Sequence, residues 1–138
     1  MADPVLSVVI PAYNRAPLLT RTLEALARQS LAPHLHEVIV VDDGSTDETP
    51  EVVRSWGEQD RRIHLLRTET NRGASAARND GVREARGQIV VFVDSDVVVR
   101  PDFLAHHLDA HRRSRAPVLC RGPVVPVPDL RLPDRLPL

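Results

Sequence analysis

The chain has 138 residues, enough for one domain around a single core. Its hydrophobic (42%) and charged (27%) fractions are those of an ordinary globular protein, and a net charge of -1 gives no electrostatic case for nucleic acid or an anionic membrane surface. Apart from the histidines every basic residue is arginine, which excludes a lysine nucleophile, a Schiff base or a P-loop lysine within this chain. The single cysteine, Cys120, excludes an internal disulfide and fits a reducing compartment. No apolar run approaches the ~18 residues that span a bilayer, and the N-terminus lacks the basic start and apolar stretch of a signal peptide. The expectation is a cytoplasmic protein, or the cytoplasmic part of a longer one whose other regions provide any membrane association.

Val5 to Ile10 is a short apolar run closed by Pro11 and reads as a first buried strand. Pro11 to Arg15 then reads as a loop, because proline cannot donate to a central ladder. From Ala16 to Gln29 the pattern is helical: Leu18, Leu19, Thr22, Leu23, Leu26 and Ala27 recur at spacings of three and four, on one face. Asn14 is the expected N-cap, and Pro17 suits a first turn. Glu37 to Val41 is a second buried strand, ending in the turn-and-cap run Asp42-Asp43-Gly44-Ser45-Thr46-Asp47. Ser45 or Thr46 is expected to cap a helix over about 48–56.

Ile63 to Leu66 is a short third strand, and Thr70 to Gly73 a turn. Ala74 to Ala85 is a helix of small residues. Gly81 inside it costs about 1 kcal/mol against alanine, so close packing on the sheet is its expected reason. Gly87 is the expected C-cap. The fourth strand, from Ile89 to Val93, ends in Asp94-Ser95-Asp96. A helix follows over about 102–113, and Val118 to Arg121 is a candidate fifth, edge strand. From Pro123 on, prolines come too often for helix or central strand. The expected organisation is therefore one domain over 1–115 and an edge strand with a proline-rich tail over 116–138.

Alternating strands and helices predict an α/β fold, a mostly parallel sheet with helices on both faces. Parallel strands bring the loops after the first, second and fourth strands to one edge, where such sheets bind ligands. That edge would present the Tyr13 ring, the Asp42 carboxylate as acceptor for a base N–H, and the pair Asp94 and Asp96. Residues i and i+2 of an extended segment point the same way, so the pair suits a divalent cation that also holds phosphate oxygens. No G-x-G-x-x-G and no P-loop is present, which leaves metal and arginine to handle phosphates. Carboxylates at the strand ends would repel a bare diphosphate, so a cation is close to obligatory on this reading.

Four segments, in this order, resemble family 2 glycosyltransferases of the GT-A fold: Val8-Val9-Ile10-Pro11-Ala12-Tyr13-Asn14, Val40 to Asp47, Asn71-Arg72-Gly73 with Ala77-Arg78-Asn79-x-Gly81, and Phe92 to Asp96. The resemblance covers about residues 6–111. It implies inverting transfer of a sugar from a nucleotide-sugar donor, a UDP-sugar foremost, to a saccharide, lipid or protein acceptor, with Mg or Mn as cofactor. It implies that Pro11, Ala12 and Tyr13 contact the base, with Asn14 and Asp43 in the same nucleotide-binding loops. Asp42 would hydrogen-bond the base, and Arg78 would bind the nucleotide or order the loop. Asp94 would sit near ribose and metal, and Asp96 would ligate the metal. The family's general base is a carboxylate roughly a hundred residues beyond the metal motif; Asp102 and Asp109 come too soon, and no catalytic base is assigned. Two readings follow: the donor-binding half of a longer, polysaccharide-building enzyme, or a nucleotide-sugar-binding module without turnover.

Other readings meet obstacles in the residues. Asp43 to Asp47 also suits a plain helix cap, Asn79 a loop tie, and Arg72 a solvated side chain. His107 and His111 stand four apart on a helix, but no Glu follows His107 as a metalloprotease motif requires. A nucleotidyltransferase would need a glycine-rich loop with a basic residue after the first strand. A response-regulator pocket would need a lysine.

Overall fold

A computed structural model describes residues 2–125. The elements are β1 (Leu6–Ala12), α1 (Ala16–Ala27), a 3-10 turn (Pro33–Leu35), β2 (His36–Asp42), α2 (Thr49–Gln59), β3 (Ile63–Arg67), α3 (Ala74–Glu84), β4 (Ile89–Phe92) and α4 (Phe103–Arg113). The four strands form one sheet in the order β3-β2-β1-β4, and every pair is parallel. The sheet grows from β1 through β2 to β3, then the chain crosses back to place β4 on the other side of β1. The order therefore reverses between β1 and β4, which is where open parallel sheets bind ligands.

The apolar runs explain the core. β1 and β2 are buried along almost their whole length, so they are apolar on both faces rather than alternating. Leu6, Val8, Ile10, Val38, Val40 and Val91 pack under Leu19, Leu23, Leu26, Val53, Leu104 and Leu108 of α1, α2 and α4. Val9, Ile39 and Val41 face the other way, under Ala77 of α3. A crossover from β3 to β4 on the opposite face keeps each connection right-handed. Gly81 lets α3 sit close: a Cβ there would lie 2.3 Å from Val9 Cγ1 and 3.2 Å from Val41 Cγ2.

Several local expectations change. Pro11 lies inside β1, opposite Val41. The Val9 carbonyl accepts from the Val93 N–H, whereas the Ala12 carbonyl accepts from Asp43. Alternation therefore turns the Pro11 nitrogen toward β4, whose pairing stops at Phe92, so no ladder bond is lost. Asn14 is not the N-cap of α1. It takes φ +50°, and the cap position falls to Arg15 without a side-chain bond of its own. The helix start is satisfied from the next loop instead: Thr49 Oγ1 accepts from Arg15 N at 2.9 Å and Asp47 Oδ2 from Ala16 N at 3.3 Å. Asp47, not Ser45 or Thr46, also holds the start of α2, its Oδ1 accepting from Thr49 N at 2.9 Å and Thr49 Oγ1 at 2.5 Å.

Gly87 is a close-approach glycine rather than a cap. Ala85 ends α3 in an extended conformation, and a Cβ on Gly87 would meet Ser7 N at 2.6 Å. Residues 118–121 form no strand; Leu119 is fully exposed, so no neighbouring strand compensates its ordering entropy. The proline-rich stretch from Pro126 on lies outside the described residues. No helix among them is long and apolar enough to cross a membrane.

Candidate functional site

All four strands end at one edge, so the loops after them share a rim. Ala12 closes β1 and pairs with Asp42, the last residue of β2. Asp42 pairs in turn with Arg67, the last residue of β3. Partners in register point to the same face, so Ala12, Asp42 and Arg67 form a row. Past β4 the alternation of burial continues: Val93 and Ser95 are buried, Asp94 and Asp96 exposed. The two aspartates thus stand on the open side, in a turn closed by the Val97 N–H donating to the Asp94 carbonyl at 3.2 Å. Ser95 points inward, and its carbonyl accepts from Thr22 Oγ1 of α1 at 3.2 Å.

Asp42 is wholly buried. Its Oδ1 accepts from the Ser45 N–H at 3.2 Å, which tightens the turn in which Gly44 takes φ +78°. A side chain at Gly44 would also run into the Thr70 backbone at 2.9 Å. Oδ2 lies 3.1 Å from Arg67 Nε, yet it accepts no hydrogen bond among the described residues. The charge is close, but the N–H is not aimed at the oxygen. Arg67 instead donates from Nη2 to the Ser45 carbonyl at 3.2 Å.

The other site positions divide by what already holds them. Tyr13 presents an exposed ring. Asn14 is a clamp: its Oδ1 accepts from Thr46 N at 2.8 Å and Asp47 N at 3.2 Å, and its own N–H donates to Ser45 Oγ at 2.9 Å. Asp43 is buried and engaged on both oxygens. Gly73 N donates to Oδ2 at 2.7 Å, Arg72 N to both oxygens at 3.0 Å, and Thr68 Oγ1 to Oδ1 at 3.1 Å. It ties the β3–α3 loop down beneath the rim. The Arg72 side chain pairs with Asp80. Arg78, on the second turn of α3, donates from Nη2 to Asp94 Oδ1 at 2.8 Å; with Asp94 61% exposed, that pair contributes at most about 1 kcal/mol.

The donor set fits a hard cation. Among the described residues no group of three or more His, Cys, Asp or Glu gathers at one place; Asp94 and Asp96 are two exposed carboxylates at this edge. Magnesium-like ions are commonly held by one or two carboxylates, with water and ligand phosphates completing the shell. His107 packs edge-on against Phe103, ring centroids 4.7 Å apart, and its pKa is lowered, first by burial, then by His111 and His106. Its role on α4 is packing.

Sequence reasoning missed Arg67 as the neighbour of Asp42, because the pairing depends on strand register. It also missed two polar networks at the far end of the sheet. Glu37 accepts from Ser7 Oγ at 2.7 Å and from Arg86 N, Nε and Nη2 at 2.9, 2.9 and 2.6 Å. Burial pushes its pKa up, but the Arg86 and Ser7 donors outweigh that and hold it below the usual range. His36 is buried with Nε2 2.7 Å from Arg62 Nη1, and Arg62 is itself clamped by Asp60.

The fold places the chain among GT-A glycosyltransferases. A mannosyltransferase from Pyrobaculum calidifontis, solved in complex with GDP-Man and Mn2+, superposes with a TM-score of 0.71 at 36% identity, over 78% of this chain and 32% of that one. Residues 1–349 of S. aureus TarS in complex with UDP-GlcNAc superpose with a TM-score of 0.71 at 35% identity, again over 78% and 32%. Residues 7–133 match the glycosyl transferase family 2 model, and the chain belongs to that family. Validoxylamine A glucosyltransferase of Streptomyces hygroscopicus subsp. limoneus is 45% identical over 108 residues, 78% of this chain and 24% of the relative. The teichuronic acid biosynthesis glycosyltransferase TuaG of Bacillus subtilis, itself a putative assignment, is 39% identical over 106 residues, 77% and 41%. The chain thus spans between a quarter and two fifths of the length of these relatives.

Proposed function

We propose that this chain binds the nucleoside-diphosphate part of a sugar donor, a UDP-sugar foremost, for inverting transfer of a hexosyl group to an acceptor hydroxyl. The reading is carried by the placement of Asp42 at the end of β2 and of Asp94 and Asp96 just past β4, the two strands that flank β1 and end at one sheet edge, with the exposed Tyr13 following β1. Pro11, Ala12 and Tyr13 form the wall for the base. Asp42 accepts from its ring N–H. Asn14 and Asp43 hold the loops that shape this wall. Arg78 steadies Asp94 beside the ribose and metal, and Asp96 is a metal ligand.

A Mg or Mn ion on Asp94 and Asp96, when bound, offsets the diphosphate charge. The chain's own residues then orient the nucleotide. A general base for the acceptor hydroxyl is required for inverting transfer, and none is assigned here. The support lies in the strand-end geometry and in relatives whose solved complexes hold UDP-GlcNAc, or GDP-Man with Mn2+.

Isothermal titration of the chain with UDP, with and without Mn, tests the reading. Asp96→Ala is expected to remove the metal-dependent part of the affinity; unchanged binding in Mn would eliminate the metal site. Asp42→Asn keeps an oxygen for Ser45 N but turns an amide donor toward the base. It is expected to weaken UDP by about 1–3 kcal/mol. UDP methylated at N3 lacks the donor and is expected to lose a similar amount on the unmodified chain. A companion donor-hydrolysis assay separates turnover from binding alone.

A further inference from the structure

Asp42 is the carboxylate assigned to the base, yet it has no exposed surface. Its other oxygen, Oδ2, faces a guanidinium 3.1 Å away and accepts no hydrogen bond among the described residues. That combination is unusual: a buried ionised oxygen normally has a donor aimed at it. Arg67 stands beside it because β2 and β3 end in register. Its side chain is 45% exposed, so it has solvent to move into. Besides the ion pair, one hydrogen bond to the Ser45 carbonyl anchors the guanidinium. Oδ1 is committed to a backbone N–H that the turn fixes in place. A base N–H must therefore come to Oδ2, where the guanidinium lies.

We infer that Arg67 is an internal competitor for the base-reading oxygen. Its guanidinium covers Asp42 Oδ2 in the ligand-free protein and withdraws toward solvent when a base with a ring imide N–H, as in uracil or guanine, takes that oxygen. This rests on the base-reading role of Asp42 proposed above. The imperfect aim of the Arg67 N–H is what makes exchange favourable. A well-directed bond from the base replaces an ion pair without one, while water takes over the half-exposed guanidinium. Arg67 would thus be a specificity residue. A base with a donor at the right edge displaces the guanidinium and bears the cost of the lost ion pair, whereas a base without one leaves it in place.

The test is titration of UDP and N3-methyl-UDP, both with Mn, into the unmodified chain, Arg67→Ala, Arg67→Met and Asp42→Asn. Arg67→Met keeps the apolar stem against β3, and a thermal melt of each variant checks that it folds. Removing the competitor is expected to tighten UDP by roughly two- to fivefold, the value of a partly exposed ion pair, and to leave N3-methyl-UDP unchanged. A loosened fold would not raise affinity for one base and not the other. If Asp42→Asn weakens UDP while both Arg67 variants bind it equally well or worse, the competitor role is overturned and the base-reading role stands. If Asp42→Asn leaves UDP unaffected, the base-reading role fails, and this inference with it.

Discussion

Gly81→Ala should destabilise the protein and loosen the site together. Alanine in an exposed helix interior normally gains about 1 kcal/mol over glycine. At position 81 the new methyl would stand 2.3 Å from Val9 Cγ1, far inside van der Waals contact, and 3.2 Å from Val41 Cγ2. Val9 is fully buried in the central strand and, being β-branched, has little rotamer freedom to yield. Either α3 lifts or Val9 leaves its rotamer, at a cost of about 1–3 kcal/mol. Because the overlap is deep, the upper part of that range applies. After the helix gain is subtracted, a net loss of about 1–2 kcal/mol remains. Urea unfolding measures it as a lower midpoint at unchanged m-value. Arg78 sits three residues earlier on the same helix and reaches Asp94, so a lifted helix should also weaken Mn-dependent UDP binding. Combining Gly81→Ala with Val9→Ala should recover part of the clash, a coupling of at least about 1 kcal/mol in a double-mutant cycle. A gain in stability from Gly81→Ala, or strict additivity in the cycle, would refute the close-packing argument.

Other consequences concern polar groups that the fold holds in one state. His36 has a pKa below its ordinary value, first through burial and then through the Arg62 charge. The unfolded chain therefore binds the extra proton first, and stability should fall as pH drops below about 6.5, by at most about 1.4 kcal/mol per pH unit for this residue. His36→Gln should flatten that slope and leave the part due to His107, whose shift has the same sign; an unchanged slope across pH 5–7 would contradict the assignment. Glu37→Gln removes the charge that faces three Arg86 donors and should cost about 1–3 kcal/mol in urea unfolding at pH 7. The loss should shrink in acid, as pH falls through the depressed Glu37 pKa. Asn14→Asp keeps an acceptor for Thr46 and Asp47 and should be nearly neutral, whereas Asn14→Ala loses two backbone bonds and strains a positive φ, for about 2–3 kcal/mol; equal stability of the two would show that the clamp is inert.

What the residues disclosed in advance follows from how local each cause is. β-branched runs at Val8–Ile10 and Val38–Val41 announce doubly buried strands wherever they occur. The 3–4 spacing of Leu19, Thr22, Leu23 and Leu26 announces a helix face. The exposed side shared by Asp94 and Asp96 follows from a period of two. Failures came where partners are distant in sequence. Asn14 read as a cap because capping residues usually serve their own helix. Here α1 is satisfied by Asp47 and Thr49, more than thirty residues on. Pro11 read as a strand end because the sequence does not say which neighbour its missing N–H would face. Arg67 could not be read at all: it is one arginine of many until β2 and β3 are in register.

The same interlock bears on how the site works. The β1–α1 and β2–α2 loops are fastened by Asn14 to Ser45, Thr46 and Asp47, and by Asp47 and Thr49 back to α1. The β3–α3 loop is fastened by Asp43 to Arg72 and Gly73. Three of the rim loops are thus bonded into a continuous frame in which backbone N–H groups donate to the short side chains of Asn14, Asp43, Ser45, Asp47 and Thr49. A nucleotide meeting this frame finds most of its geometry already ordered, and preorganisation of that kind lowers the entropy cost of binding. Two rim contacts are made only by long, partly exposed side chains: Arg67 at Asp42 and Arg78 at Asp94. Each arginine leans on a carboxylate that the proposed function gives to the ligand or its metal. On the proposed function the frame would set where the donor lies, Arg67 would cover Asp42 until a base replaces it, and Arg78 would steady Asp94 beside the metal.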